Sequence, residues 1–143
     1  MVDHVSDASI ALRNAVRIFA ILPLATGFGD IVQGAAFLVA AGAPVPPYAL
    51  NNAALNSQLM FAGAIWISYA PLLWYVSKDL VSRKSLMHLL FGFVFLSGLA
   101  RAWAYIQYGS PGVILTAALI AELLIPLVMI SWSIFAMGSR REG

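Results

Sequence analysis

Three ionisable residues lie inside segments of the chain that are otherwise apolar: Asp30, Arg101 and Glu122. A charge placed in the hydrocarbon layer of a bilayer costs about 2.5–3.5 kcal/mol on insertion scales, so it is seldom retained without a partner or a function. Two carboxyl groups, one of them protonated, beside an arginine are a set that can perform acid–base chemistry. These three side chains are therefore the candidate catalytic residues.

The composition indicates the environment in which these residues lie. The chain has 143 residues, of which 62% are hydrophobic and only 10% charged, which leaves too little polar surface to cover a soluble domain. A membrane-spanning helix needs about 20 mostly apolar residues. Four segments meet this requirement, so we predict an all-α fold, a four-transmembrane-helix bundle forming a single integral membrane domain over residues 1–143. The predicted helices cover about 16–39, 58–76, 85–105 and 112–137, and Asn56 or Ser57 is expected to cap the second of them.

The basic residues predict how the bundle is oriented. They cluster at the start of the first helix, between the second and third, and after the fourth, whereas the other two connections carry no charge. By the positive-inside rule, both termini and the 2–3 loop are expected to be cytoplasmic. The membrane is expected to be a bacterial inner membrane or the endoplasmic reticulum membrane. The basic residues concerned are Arg13, Arg17, Lys78, Arg83, Lys84, Arg140 and Arg141.

Depth along the helices predicts that the three charges can meet. With a rise of about 1.5 Å per residue, Asp30 and Glu122 lie near the midplane, and Arg101 lies about 7–8 Å from the outer edge. A four-helix bundle brings every helix against a shared interior, so a cluster in its outer half is feasible. Pro126 cannot donate a backbone hydrogen bond, which frees the carbonyl of Glu122 and favours a kink there.

Five further polar or aromatic residues are candidates for contacting a substrate. They lie on helix faces that we expect to turn towards the three charges. Buried binding sites are mostly apolar with a few polar groups, which suits this mixture, although the aromatic members are explained at least as well by packing. The candidates are Gln33, Gln58, Trp66, Tyr69 and Tyr105.

Several kinds of chemistry find no support in the residue types present. The chain has no cysteine and two histidines, His4 and His88, far apart in sequence, so we expect no metal site. We find no dinucleotide-binding or phosphate-binding loop and no Ser–His–Asp order, and we expect no cofactor and no nucleic-acid partner. The expected partners are the lipid bilayer and an apolar small-molecule substrate, and a homo-oligomer is left open.

The first hypothesis is therefore a membrane-embedded, cofactor-independent enzyme. Two acids around one arginine exceed what neutralisation needs, so one carboxyl is expected to hold a proton. Opening of an epoxide, by hydrolysis or by intramolecular cyclisation, requires this pairing, with Asp30 as base, Glu122 as acid and Arg101 as the bridge between them. The two carboxyl roles are interchangeable at this point, and the same groups suit a double-bond isomerase.

Two other functions compete with this hypothesis. Arg101 and Glu122 would also serve as a structural staple between two antiparallel helices, in a non-catalytic accessory or assembly subunit of a membrane complex. The third hypothesis is a proton or solute pathway, because ionisable residues within membrane helices often mark one. Four short helices offer little room for a pore, so this hypothesis ranks last.

Several short motifs between residues 55 and 132 follow one another in a characteristic order. They are residues 55–61 and 72–74, Phe95-Leu96-Ser97-Gly98-Leu99-Ala100-Arg101, Tyr108-Gly109-Ser110-Pro111, and Glu122-Leu123 followed by Pro126. This series resembles the domain-of-unknown-function family 4345, a family of small four-helix membrane proteins, and Gly27 and Gly34 are similar to glycines in the first helix of that family. The resemblance implies the four-helix fold and the importance of Arg101 and Glu122, and it carries no activity.

Two positions depart from that family's pattern. Where the family tends to have an Asp and an Arg near the start of the second helix, this chain has Asn56 and Met60. The two positions are four residues apart, the spacing at which side chains of opposite charge pair on a helix. Both members of that pair are missing here, which weakens any transfer of function from typical members of the family.

Overall fold

In the computed structural model, residues 7–138 are described, and all the regular structure within this range is helical. Four stretches are long and apolar enough to cross a membrane: Ser9–Gln33, Ala53–Ser77, Lys84–Tyr108 and Val113–Ala136. The predicted all-α fold with four membrane-spanning segments is confirmed. The helices in chain order are α1 (Asp7–Phe19), α2 (Ile21–Gln33), α3 (Ala35–Ala40), α4 (Pro47–Leu50), α5 (Ala53–Ser77), α6 (Lys84–Tyr108) and α7 (Val113–Gly138).

The first span differs from the single helix predicted over 16–39. It begins about two turns earlier, is interrupted at Ala20, and ends at Gln33. Pro23 lacks the N–H that would bond the carbonyl of Phe19, which accounts for the interruption. Ala20 keeps helical dihedral angles, and its own N–H still bonds the carbonyl of Val16 at 3.1 Å, so α1 and α2 continue each other.

Gly34 ends the first span. Its φ of 54° lies in the left-handed region, and a Cβ there would lie 2.1 Å from Asn56 Oδ1. The Asn56 side chain accepts a hydrogen bond from the N–H of Ala35 at 2.9 Å and donates to the carbonyls of Leu50 and Asn52 at 2.8 and 3.0 Å. One amide therefore supplies partners for backbone groups at the break and in the outer connection.

The other three spans agree with the predicted helices to within five residues at either end. Asn52, and not the predicted Asn56 or Ser57, caps α5, since its Oδ1 accepts from the N–H of Leu55 at 2.9 Å. Pro71 and Pro126 lie inside α5 and α7 without ending them. Apolar length alone was a sufficient signal for these three spans.

The core lies towards one end of the bundle. Helices α2 and α5 pack closely along their length, and so do α6 and α7, while α1 contacts both pairs. The buried side chains that join the pairs come from α1, the second half of α5 with the loop after it, the first half of α6, and α7. This core cluster consists of Leu12, Val16, Ala20, Leu73, Val76, Leu80, Met87, Leu90, Phe91 and Met129.

The same end of the bundle carries the basic residues. Arg17 Nε bonds Ser77 Oγ at 3.1 Å, which places the arginine of α1 beside the end of α5, next to the loop that holds Lys78 and Arg83. In this loop, Asp79 Oδ1 accepts from the N–H of Ser82 at 3.1 Å, and hydrogen bonds from Ser82 lower the pKa of the Asp79 carboxyl below its ordinary value. That this end faces the cytoplasm is the prediction of the positive-inside rule. Arg140 and Arg141 lie outside the described residues.

At the opposite end, the two uncharged connections touch. A Cβ on Gly112 would lie 2.5 Å from the carbonyl oxygen of Gly42, and both glycines have positive φ. The connection after α2 therefore contacts the short turn between α6 and α7. We call this end, with Gly42 and Gly112, the outer end, and the end with the basic residues the inner end, after the predicted orientation. The contact of the two glycines joins the helix pairs at the outer end, and the core cluster joins them at the inner end.

The hydrogen bonds of Asn56 lead to a first prediction. Asn56→Ala removes three hydrogen bonds and leaves the N–H of Ala35 unpaired, so we expect a loss of about 2–4 kcal/mol in the free energy of unfolding. Asn52→Ala removes one helix cap and is expected to cost about 1 kcal/mol. Thermal unfolding in detergent measures both. Equal losses for the two variants would contradict the central role of Asn56.

The close contact of α2 with α5 leads to a second prediction. A Cβ on Gly63 would lie 2.7 Å from Asp30 Cβ and 2.8 Å from the carbonyl oxygen of Gly27, so Gly63→Ala must push the helices apart. We expect a cost of about 1–3 kcal/mol, the usual range for overpacking. Gly92→Ala is the matched control, because nothing lies within 4 Å of a Cβ there. If Gly63→Ala and Gly92→Ala have the same melting temperature, the close approach of α2 to α5 does not contribute to stability.

Candidate functional site

Arg101 on α6 and Glu122 on α7 form an ion pair. Arg101 Nε lies 3.0 Å from Glu122 Oε2, and the two side chains are 47% and 14% exposed. Oε2 is buried, and the N–H of Arg101 is not aligned for a hydrogen bond to it, so this oxygen is paired with the guanidinium by charge.

Small and polar residues of α6 allow this pair to form. Gly98, one turn before Arg101, is buried against α7, where a Cβ would lie 3.1 Å from Glu122 Cβ and 2.9 Å from Leu123 Cδ2. The absence of a side chain at this position lets α7 approach α6. Ser97 lies beside the Glu122 carboxylate and donates its own proton to the carbonyl of Val94 at 2.7 Å.

Asp30 belongs to the other helix pair. It is half-buried on α2, next to Gly63 of α5, and interacts electrostatically with Arg101 across the bundle. Within residues 7–138, no group donates a hydrogen bond to its carboxylate. Arg101 thus forms a close ion pair with Glu122 and a weaker electrostatic interaction with Asp30.

Two of the five predicted substrate-binding residues are held by packing. Trp66 Nε1 donates to Thr26 Oγ1 at 2.8 Å, which ties α5 to α2 one turn before Asp30. Tyr69 donates its hydroxyl proton to the carbonyl of Leu90 at 3.1 Å and packs against the core cluster, away from Glu122 towards the inner end. Their rings stack with centroids 5.2 Å apart.

The other three are exposed. Gln33 is the last residue of α2, Gln58 lies in the second turn of α5, and Tyr105 lies one turn beyond Arg101 on α6. Their side chains make no hydrogen bond to any residue between 7 and 138. The structure thus brings Arg101 and Glu122 into contact and Asp30 within electrostatic range of Arg101, and it pairs these three polar groups with no described residue.

Sequence reasoning overlooked two features of the site region. Asn56 was expected to be a helix cap, whereas it pairs the backbone at Gly34, whose N–H bonds the carbonyl of Asp30 at 2.9 Å. The predicted helix began at about residue 16, so the earlier turns of α1 were not foreseen. The hydrogen bond from Arg17 of α1 to Ser77 at the end of α5 was not foreseen either. Among the described residues, no cluster of His, Asp or Glu is arranged to hold a metal ion.

Fold and site together define a small integral membrane protein with four spanning helices and an acid–base pair between two of them. The chain belongs to the family described as a domain of unknown function, DUF4345, whose model matches residues 11–133. The match extends the predicted resemblance to include the first span. No curated protein and no solved structure matches the chain.

Glu122 is more deeply buried than Arg101, and this difference leads to a third prediction. Arg101→Gln leaves the Glu122 carboxylate buried without a cation and is expected to cost about 1–3 kcal/mol. Glu122→Gln leaves a half-exposed arginine that can reach towards the interface, and we expect a change below about 1 kcal/mol. Melting of both variants in detergent tests this asymmetry. Equal losses of several kcal/mol would instead identify a structural staple.

Proposed function

We propose that this protein is a membrane-embedded, cofactor-independent enzyme that opens an epoxide of an apolar small molecule, by hydrolysis or by cyclisation. The observation that carries the proposal is the ion pair between Glu122, which is 14% exposed, and the half-exposed Arg101. An ionisable group within a membrane-spanning helix is costly, and such groups are more often retained where a ligand or a reaction uses them. Arg101 links this carboxyl electrostatically to Asp30.

The proposed reaction assigns each group one proton-transfer role. Of the two carboxyl roles, which the sequence leaves interchangeable, the ion pair with Arg101 favours Glu122 as the ionised base and Asp30 as the protonated acid. Glu122 takes a proton from water or from a substrate hydroxyl, whose oxygen forms a bond to one epoxide carbon. The C–O bond on that carbon breaks, and protonated Asp30 gives its proton to the departing oxygen. Glu122 then passes its proton to Asp30, which restores both carboxyls and supplies the proton that the next leaving oxygen receives. Hydrolysis yields a diol and cyclisation an ether with a free hydroxyl.

The placement of Arg101 supports an apolar substrate. Nearly half of its side-chain surface is exposed, in the half of α6 beyond the core cluster, where the lipid-facing residues Leu99 and Trp103 are also exposed. A substrate dissolved in the bilayer would reach this position laterally from the lipid. Isomerisation of a double bond would use the same two carboxyls and the same route of entry.

A non-catalytic subunit is the second candidate, and one observation favours it. The apolar groove that the bundle holds lies at its inner end, lined by Arg17, Trp74 and their neighbours, and not beside Glu122. The Arg101–Glu122 pair would then staple α6 to α7. A proton or solute pathway finds less support, because the apolar core cluster fills the inner half of the bundle.

The fourth prediction tests catalysis directly. Wild-type protein in detergent is incubated with a panel of apolar epoxides in ¹⁸O-labelled water, and products are analysed by mass spectrometry. We expect a diol with one labelled oxygen, or an unlabelled cyclic ether, and a loss of about 100-fold or more in Asp30→Asn and Glu122→Gln. These exchanges remove the proton chemistry and keep the side-chain shape.

Asp79→Asn is the matched control, because it removes a carboxylate from the exposed loop at the inner end. Its turnover is expected to equal that of the wild type. The enzyme proposal fails if the wild type converts no epoxide or olefin of the panel. It also fails if Glu122→Gln retains full turnover, since another group would then take the proton from the attacking oxygen.

A further inference from the structure

An apolar groove of about 270 Å³ runs along the outside of the bundle between the first span and α5. Arg17 and Trp74 lie at its inner end, and the remaining walls are apolar. Pockets that enclose a drug-sized ligand have volumes of about 300–1,000 Å³. The groove is slightly smaller than these pockets, so it suits one extended aliphatic chain. The other lining residues are Ala20, Ile21, Leu24, Ala70 and Pro71.

Arg17 lines this groove, and Arg13 precedes it by four residues on α1, so the two arginines share one face of the helix. Arg13 Nε is buried, and no described side chain pairs with it. Two like charges on one helix face, beside an apolar groove, favour an anionic ligand with an apolar part.

The orientation of Arg17 suits an anion at the membrane interface. Its Nε bonds Ser77 Oγ at 3.1 Å, and its guanidinium carbon lies 5.5 Å from the centre of the Trp74 ring. These contacts fix the plane of the guanidinium and leave its terminal N–H groups available, in the bidentate geometry that phosphate accepts. Tryptophan at this level is also typical of the headgroup region.

The geometry points to a binding site for one anionic phospholipid, with its phosphate on Arg17 and Arg13 and one acyl chain in the groove beside Ile21 and Pro71. The charge favours an anionic headgroup over a zwitterionic one, and the apolar walls favour a lipid over a free anion. Basic pockets next to membrane helices on the cytoplasmic side commonly bind anionic headgroups. This site lies at the inner end and is independent of the proposed reaction at Glu122.

The fifth prediction tests the site with defined lipids. The full chain is delipidated in an uncharged detergent and titrated with phosphatidylglycerol, phosphatidylcholine or inorganic phosphate, with the melting temperature and native mass spectrometry as readouts. We expect phosphatidylglycerol to raise the melting temperature in proportion to its occupancy, with one lipid retained per chain. Phosphatidylcholine and phosphate are expected to have smaller effects at equal concentration.

The variants separate this site from general attraction to a charged membrane. We expect Arg17→Gln to weaken phosphatidylglycerol binding about tenfold or more, the effect of losing about 1.4 kcal/mol, and Arg17→Lys to weaken it less. Arg83→Gln is the matched control, because Arg83 lies at the same end but stacks 3.7 Å from the centre of the Tyr75 ring. Its affinity is expected to match the wild type.

A variant that keeps both arginines covers the case in which Arg17→Gln does not fold. Ile21→Trp fills the groove from an exposed position, and it is expected to abolish the preference for phosphatidylglycerol over phosphate. The proposal is overturned if the two lipids bind equally or if phosphate stabilises as much as the lipid. It is also overturned if Arg83→Gln lowers the affinity as much as Arg17→Gln.

Discussion

The cost of leaving polar groups unpaired in hydrocarbon governs the arrangement of this bundle. Where a helix is interrupted or a polar side chain is buried, a partner is supplied: Asn56 pairs the backbone at Gly34, Thr26 pairs Trp66, and the carbonyl of Leu90 pairs Tyr69. Two carboxyl groups in the described range are exceptions: Glu122 Oε2 is buried and paired with Arg101 by charge alone, and the Asp30 carboxylate accepts no hydrogen bond.

The packing of the helices explains why the two exceptions lie where they do. Glycines at the contacts of α2 with α5 and of α6 with α7 make each pair tight, whereas the apolar core cluster joins the pairs only towards the inner end. Polar groups between the pairs in the outer half are therefore less constrained by packing. Arg101 spans this part of the bundle, because it pairs with Glu122 and still interacts with Asp30. A reactive group benefits from such a position, since a substrate can replace lipid without unpacking the core.

The sequence predicted the spans that are defined by apolar length and missed the features that depend on single residues. The last three spans were placed to within five residues, because a continuous apolar stretch is a strong signal. The first was displaced because α1 carries two arginines and alternates in polarity, which resembles a flank more than a spanning helix. Arg101 and Glu122 were correctly expected to approach each other, since antiparallel neighbours joined by a short turn must pack together. The hydrogen bonds of Trp66 and Tyr69 depend on the rotation of α5, which residue spacing alone does not specify.

Asn56 connects the departure from the family pattern to the candidate site. An aspartate at this position could accept from the N–H of Ala35, but it has no N–H to donate to the carbonyls of Leu50 and Asn52. A member of the family with Asp there and Arg one turn later must pair these carbonyls differently, with the Arg as an available donor. In this chain the amide of Asn56 both accepts from the N–H of Ala35 and donates to the two carbonyls, so no charged side chain is needed at position 60. Because Gly34 also bonds the carbonyl of Asp30, the amide of Asn56 helps to fix the end of α2 on which this carboxyl lies. The amide of Asn56 thus holds the end of α2 without a charged pair in the membrane, and Arg101 is the cation that interacts with both carboxyls.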